Sequence, residues 1–437
     1  MEKRWKYRRL WRYKSQIYES ESAIYESESV NYKGKNLFLL NKNINRFVFI
    51  KYKIKMGEGE QDPEFTIVTA WFDVREYENH PLKDIDENGH YCIPDHYFRS
   101  AALLFNKEMP MVIFTEERYK DRILSLRPAS YIDKTVFVIK DYCDLYRWDL
   151  YPQFLENHQL APIHNLSAEK FTAIYKWIIN QKVEFVREAI ELNPFSTEKF
   201  GWMDMRLHVV YDMSVQETTE IFQSIPDDRV LITQCSYTYP NEIGDRRGFY
   251  EWTRGKVAAG VFLGKKEPLL KFCDLCREEL LVSISEGLAP TDEMIYSVVI
   301  ARNNGLIEPH IGDYSDVLRN MSYNRGSTHL AINFLNKSFQ EGNHYFTYKV
   351  AENLRKGVLK DAIHPSTEQV YNIWYYNYVA NFWLGNRDYC RTILYELFDL
   401  GSNRADIGDH IRGMRGFLLS MIDYLHDEDI TSKFRDL

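Results

Sequence analysis

The first strongly apolar stretch of the chain runs from Thr66 to Val74. It is rich in β-branched and aromatic residues and predicts a buried strand. Apolar residues at helical spacing then predict a helix over Tyr97–Glu108, and Met111–Thr115 predicts a second short strand. Glu116–Leu126 reads as a helix and Thr135–Ile139 as a third strand. Strands alternating with helices at this short spacing argue for a parallel sheet. Ser167–Leu192 carries the strongest helical pattern, with Ser167 as its N-cap and Asn193-Pro194 as its stop. Beyond it, Phe200–Asp204 predicts an apolar strand that ends in an acid. Further strands are predicted at Arg229–Thr233 and Val257–Leu263, helices at Pro268–Ser285 and Thr291–Asn304, and a last short strand at Leu306–Glu308.

From about Asn333 the pattern contains helices only, among them Glu368–Leu384, Arg391–Leu400 and Asp406–Leu425. The expected fold class is therefore α/β, a mostly parallel central sheet flanked by helices and followed by an all-helical C-terminal region. The expected division is residues 1–60, residues 61–330 for the α/β domain and residues 331–437 for the helical region.

Residues 1–60 differ from the rest. They hold a tandem repeat, Ile17–Ala23 followed by Ile24–Val30, and residues 1–55 carry fourteen Lys and Arg against five Glu. This segment is expected to be a disordered basic extension. The whole chain has a net charge of −8, so the remainder is strongly acidic, which argues against nucleic acid as a partner. The six cysteines are sparse, and the single CxxC, Cys273 to Cys276, falls inside a helical pattern without a second pair. Buried thiols are expected there rather than zinc ligands or disulfides. No run of about 18–20 apolar residues predicts a membrane helix, and the N-terminus lacks the plan of a signal peptide. A cytoplasmic protein is the expectation. Phosphate-loop, dinucleotide-binding, HExxH and GxSxG motifs are absent from the sequence.

The residue that best combines position with chemistry is Asp204. An acid at the end of a buried strand sits at the carboxyl edge of the sheet, where open α/β folds bind ligands. A diphosphate there needs its charge neutralised, and Mn²⁺ or Mg²⁺ prefers carboxylate oxygen, so Asp204 is a metal-ligand candidate. The same position also suits a turn former or a helix cap. Arg206 matches phosphate geometry, or makes an ordinary ion pair. Asp292 and Glu293 open a helix after Thr291, where the helix dipole alone favours carboxylates; either could instead serve as a base. Gly260 and Gly264 permit close backbone approach to a ligand, and Phe262 between them could stack on a sugar ring. Lys182 could reach a phosphate or line a solvated helix face.

The succession of a helix, Asn193-Pro-Phe195 and then Trp202-Met-Asp204 resembles the HtrL/YibB family of glycosyltransferase-like proteins. The opening strand from Thr66, the segment Ala259–Gly264, the Asp292-Glu293 pair and His310–Tyr314 follow in the order expected of that family. The resemblance covers roughly residues 65–318. It implies a GT-A-type fold, a nucleoside-diphosphate sugar donor with a UDP-sugar foremost, and a divalent metal held by Asp204 and His310. Thr69, Asp73 and Thr115 are then expected at the nucleoside, and Asp292 as the base of an inverting reaction. One departure is that Arg206 stands where a second acid of a D-x-D motif would be.

The functional expectation is a glycosyltransferase acting on an acceptor hydroxyl of a glycan, a protein or a small molecule. The alternative is a catalytically inactive GT-A-like binding or scaffold protein, which the missing second acid favours. A metal-dependent phosphohydrolase using Asp204 is a third class. The C-terminal helices would hold the acceptor, dock a partner or join subunits of a homo-oligomer.

Overall fold

Alternation of side chains along the strands builds two apolar cores, one on each face of a single sheet. In β1 (Phe65–Trp71), Val68 faces one core together with Phe200 and Trp202 of β4 (Lys199–Met203). Phe65 and Ile67 face the other core, together with Met203. The computed structural model describes residues 64–77, 94–164, 172–207, 212–314 and, with short gaps, 317–436. The expected disordered extension, residues 1–60, lies outside them. The described residues belong to one compact unit, Asn45–Leu437.

The other strands are β2 (Met111–Thr115), β3 (Thr135–Ile139), β5 (Val230–Gln234), β6 (Val257–Lys265) and β7 (Ile307–Ile311). They lie in the order β3-β2-β1-β4-β6-β5-β7. β1 is parallel to β2 and β4, β2 to β3, and β5 to β7. Only β6 runs against its neighbours, antiparallel to β4 and β5. The mostly parallel sheet expected from the pattern is present. The short last strand is longer than expected, so His310 lies within β7 and not on a loop.

Parallel neighbours require crossovers, and helices supply them. Helix α1 (Pro94–Phe105) and helix α2 (Glu117–Leu124) bury Phe98, Leu104, Phe105 and Ile123 on one face. After β3 the chain returns across β1 through α3 (Tyr151–Leu160), α4 (Ala173–Asn180) and α5 (Lys182–Leu192). The single long helix expected over Ser167–Leu192 is thus two helices that meet at Gln181. The N-cap is Thr172, whose hydroxyl accepts from the Tyr175 amide at 3.3 Å; Ser167 lies outside the described residues. A left-handed Asn193 (φ 35°) ends α5, and its side chain accepts from the Thr197 amide at 3.0 Å, which turns the chain into β4.

The remaining crossovers use α6 (Val215–Gln223), α7 (Arg246–Tyr250), α8 (Lys266–Ser285) and α9 (Asp292–Arg302). Cys273 and Cys276 are buried free thiols of α8, as the helical pattern implied. Beyond β7 lie α10 (Thr328–Gln340), α11 (His344–Leu359), α12 (Thr367–Trp383), α13 (Arg387–Asn403), α14 (Ala405–Gly413) and α15 (Glu428–Asp436). They extend the core of one sheet face and cover the β7 edge. Lys349 of α11 pairs with Glu308 of β7 at 3.0 Å, and the Tyr345 hydroxyl donates to the Ile307 carbonyl at 3.4 Å. Covering an edge strand in this way removes a template for unwanted pairing.

Candidate functional site

The strand order places a topological switch point between β1 and β4. From β1 the chain moves outward to β2 and β3, then returns to β4 on the other side of β1. Open α/β sheets bind ligands at the carboxyl ends of strands at such a point. Asp204 stands there, directly after Met203, the last residue of β4. Its amide donates to the Gly260 carbonyl at 2.8 Å, and its own carbonyl accepts from Leu207 at 2.9 Å. The turn is therefore held on both sides and the carboxylate projects from a fixed backbone.

Two groups fix that carboxylate, and both bind Oδ1. The Trp202 indole donates to it at 2.8 Å, and the Lys182 ammonium lies 2.9 Å from it. Residues two apart on a strand share a face, so the W-x-D spacing itself aligns the indole with the acid. Oδ2 is turned toward Gly260. A Cβ built on that glycine would lie 3.2 Å from Oδ2 and 3.9 Å from the Tyr314 hydroxyl. Glycine thus leaves Oδ2 uncrowded, on a side chain that is 34% exposed.

Lys182 is the centre of the cluster. It opens α5 and is buried, with its ammonium 2.8 Å from Asp292 Oδ2 as well as 2.9 Å from Asp204, and it donates to the Ala259 carbonyl at 3.2 Å. Burial alone would push this ammonium down. The two carboxylates outweigh burial and hold it well above its ordinary value, so it is charged. Asp292 is the first residue of α9 and only 3% exposed. Burial pushes its carboxyl above the usual range, with Lys182 opposing. Asp292 Oδ1 accepts from the Glu293 amide at 2.9 Å, while the Thr291 side chain makes no cap. Glu293 is the more open acid of the pair.

A second polar group closes the ends of β1 and β2. Arg75 donates to both oxygens of Asp73, at 2.7 and 2.6 Å, and the Tyr119 hydroxyl donates to Oδ2 at 2.7 Å. The Asp73 amide donates to Glu116 at 2.9 Å, and Arg118 donates to the same carboxylate at 2.7 Å. Burial raises Asp73, but Arg75 and Tyr119 outweigh it and hold the carboxyl below the usual range.

The expected site residues separate into those brought together and those not. Asp204, Lys182, Asp292 and Gly260 converge, with Glu293 adjacent. Asp73 lies at the same sheet edge. Thr69 and Thr115 are wholly buried within β1 and β2. Arg206 stacks on the Tyr97 ring at 4.6 Å. Phe262 is a core side chain packed against Phe272 and Tyr296, not a platform for a sugar. Gly264 pairs with Phe200 and sits under Leu269, toward the opposite end of β4 from Asp204. His310 pairs with Thr233 on β7, the third strand over from β4. At about 4.8 Å per strand the two backbones are roughly 14 Å apart. The sequence reading did not single out the Trp202 indole, the Ala259 carbonyl, Arg75 or Tyr119.

The donor set does not fit a preformed divalent site. Such ions take about six oxygen ligands, and among the described residues no three His, Cys, Asp or Glu side chains converge. Between Asp204 and Asp292 the cation present is Lys182. Among the described residues no helix is long and apolar enough to cross a membrane.

Fold and site together define an open α/β protein with a carboxylate–ammonium–carboxylate cluster at its switch point. A family model described as a bacterial protein of unknown function (HtrL_YibB) matches residues 63–322. That is more than half of the chain, which belongs to the HtrL_YibB family. No curated protein matches the chain.

Proposed function

We propose that the chain is a glycosyltransferase of GT-A type that takes a nucleoside-diphosphate sugar as donor. The observation that carries this reading is Asp204: a carboxylate at the β1/β4 switch point, fixed through one oxygen, on a side chain that is 34% exposed and that a glycine at position 260 leaves uncrowded. A sugar hydroxyl is a suitable donor to such an oxygen, and a charged acceptor gives a hydrogen bond about twice as strong as a neutral one. The nucleoside would lie along the ends of β1 and β2, beside Asp73 and Glu116.

Of the two acids that open α9, Glu293 is the better base. Asp292 is buried and paired with Lys182, so an acceptor hydroxyl has no access to it. In an inverting transfer, the acceptor oxygen bonds to the anomeric carbon as its proton passes to Glu293. The bond to the diphosphate breaks and its electron pair leaves with the diphosphate. The test is transfer or donor hydrolysis with a panel of nucleotide sugars, with and without Mn²⁺. Turnover that Asp204→Ala abolishes is the expected result.

A second reading, a binding domain without turnover, is favoured by the pairing of Asp292 with Lys182, which puts the acid expected as base out of an acceptor's reach. Nucleotide-sugar binding with no product under any condition is its signature.

A further inference from the structure

We propose that Lys182 is the resident cation of the Asp204–Asp292 site and stands where a divalent metal would otherwise be needed. The inference deepens the transferase reading for the same site, but its geometry is independent of that reading. A lysine ammonium has three N–H donors and no acceptor. Here three protein oxygens surround it: Asp204 Oδ1 at 2.9 Å, Asp292 Oδ2 at 2.8 Å and the Ala259 carbonyl at 3.2 Å. With three protein oxygens this close and its side chain buried, Lys182 is a fixed internal charge and not a substrate hook.

The three oxygens come from separate elements. Asp204 follows β4, Ala259 lies in β6 and Asp292 opens α9, while the lysine itself opens α5. One buried ammonium therefore ties together the pieces that a metal ion would tie. It also lies against both inner carboxylate oxygens, and Asp204 Oδ1 accepts from Trp202 as well. A divalent ion entering this site would have to displace the lysine or bind through Asp204 Oδ2 alone. Without substrate phosphates to complete the coordination, a single carboxylate oxygen is a poor site for Mn²⁺ or Mg²⁺. Asp204 is thus assigned to hydrogen bonding with a substrate hydroxyl, and charge neutralisation inside the site to Lys182.

Titration of Mn²⁺ alone into the full chain, followed by electron paramagnetic resonance of the free ion, tests this without any nucleotide. The wild-type chain is expected to leave the free Mn²⁺ signal undiminished at millimolar metal. Lys182→Ala, which vacates the space between two carboxylates, is expected to bind Mn²⁺ at least tenfold more tightly and to gain melting temperature as metal is added. Saturable Mn²⁺ binding by the wild type that Asp204→Asn removes would overturn the proposal. That arm decides the matter even if Lys182→Ala fails to fold. Donor binding by calorimetry in EDTA separates the two readings. A nucleotide sugar that binds only when Mn²⁺ is present overturns the resident cation and keeps the transferase. No nucleotide sugar bound under either condition overturns the transferase and leaves the resident cation to the metal titration.

Discussion

Lys182 and Asp292 lie far apart in the sequence, yet their charged atoms meet 2.8 Å apart at the carboxyl edge of the sheet, both nearly excluded from water. Removing one partner of such a pair leaves the other buried and unpaired. Lys182→Met should therefore destabilise the fold by about 3–5 kcal/mol in urea unfolding. Lys182→Met combined with Asp292→Asn should cost less than the sum of the single changes, because the neutral amide no longer needs the ammonium. A single-variant cost below about 1 kcal/mol would mean that the pair is not buried as described.

Gly260, in β6, faces Oδ2 of Asp204. A methyl group 3.2 Å from Oδ2 crowds the carboxylate without meeting backbone. Gly260→Ala should leave the melting temperature within a few degrees of wild type. It should weaken nucleotide-sugar binding by tenfold or more, about 1.4 kcal/mol. Calorimetry and thermal melting on the same sample check both halves.

Phe262 gives the opposite pattern. It is fully buried between Phe272 and Tyr296. Phe262→Ala should cost about 3–5 kcal/mol of stability through the cavity it leaves. Donor affinity measured well below the lowered melting temperature should be unchanged. A specific loss of affinity with stability intact would restore the sugar-stacking expectation.

Acid should weaken the fold in two separate windows. Burial, with Lys176 nearby, pushes His158 down to about 4 from its ordinary 6.5. Between those values the unfolded chain binds a proton that the folded chain does not. Stability should therefore fall as pH drops from 6.5 and level off below 4, by up to about 3 kcal/mol. Burial raises Glu352, but Arg355, Tyr389 and Asn377 outweigh it and hold the carboxyl at about 2, against an ordinary 4.5. Its contribution is complete above pH 4.5 and is lost as pH falls toward 2. In urea titrations across pH, His158→Gln should remove the upper limb and leave the lower one.

The sheet was legible because its strands are short apolar runs between helices: β2 and β3 match the expected bounds residue for residue. The long helix before β4 was read as one because Gln181 is not a helix breaker. Its backbone stays helical there, and only the hydrogen bonding marks the junction. His310 was placed on a loop because the last strand was read as ending at Glu308, before Pro309. In fact Pro309 sits within the outermost strand, next to β5 alone, where a missing amide is tolerated. Within the site, Asp204 could be read from its strand. Lys182 was named as a candidate for a phosphate or a solvated face, but its grip on Asp204 could not be read, because nothing local marks two distant carboxylates as its partners. Phe262 and Gly264 show the limit of motif order, since one strand carries both core and rim residues.

The most direct test of the central claim is donor binding to the wild-type chain and to Asp204→Asn, measured by calorimetry over a panel of nucleoside-diphosphate sugars. Asparagine keeps the shape and the hydrogen bonds of the turn while removing the charge. The account predicts that at least one nucleotide sugar binds the wild type and that the variant loses tenfold or more in affinity while remaining folded. Equal affinity in the two proteins would place the sugar elsewhere and contradict the assignment of Asp204.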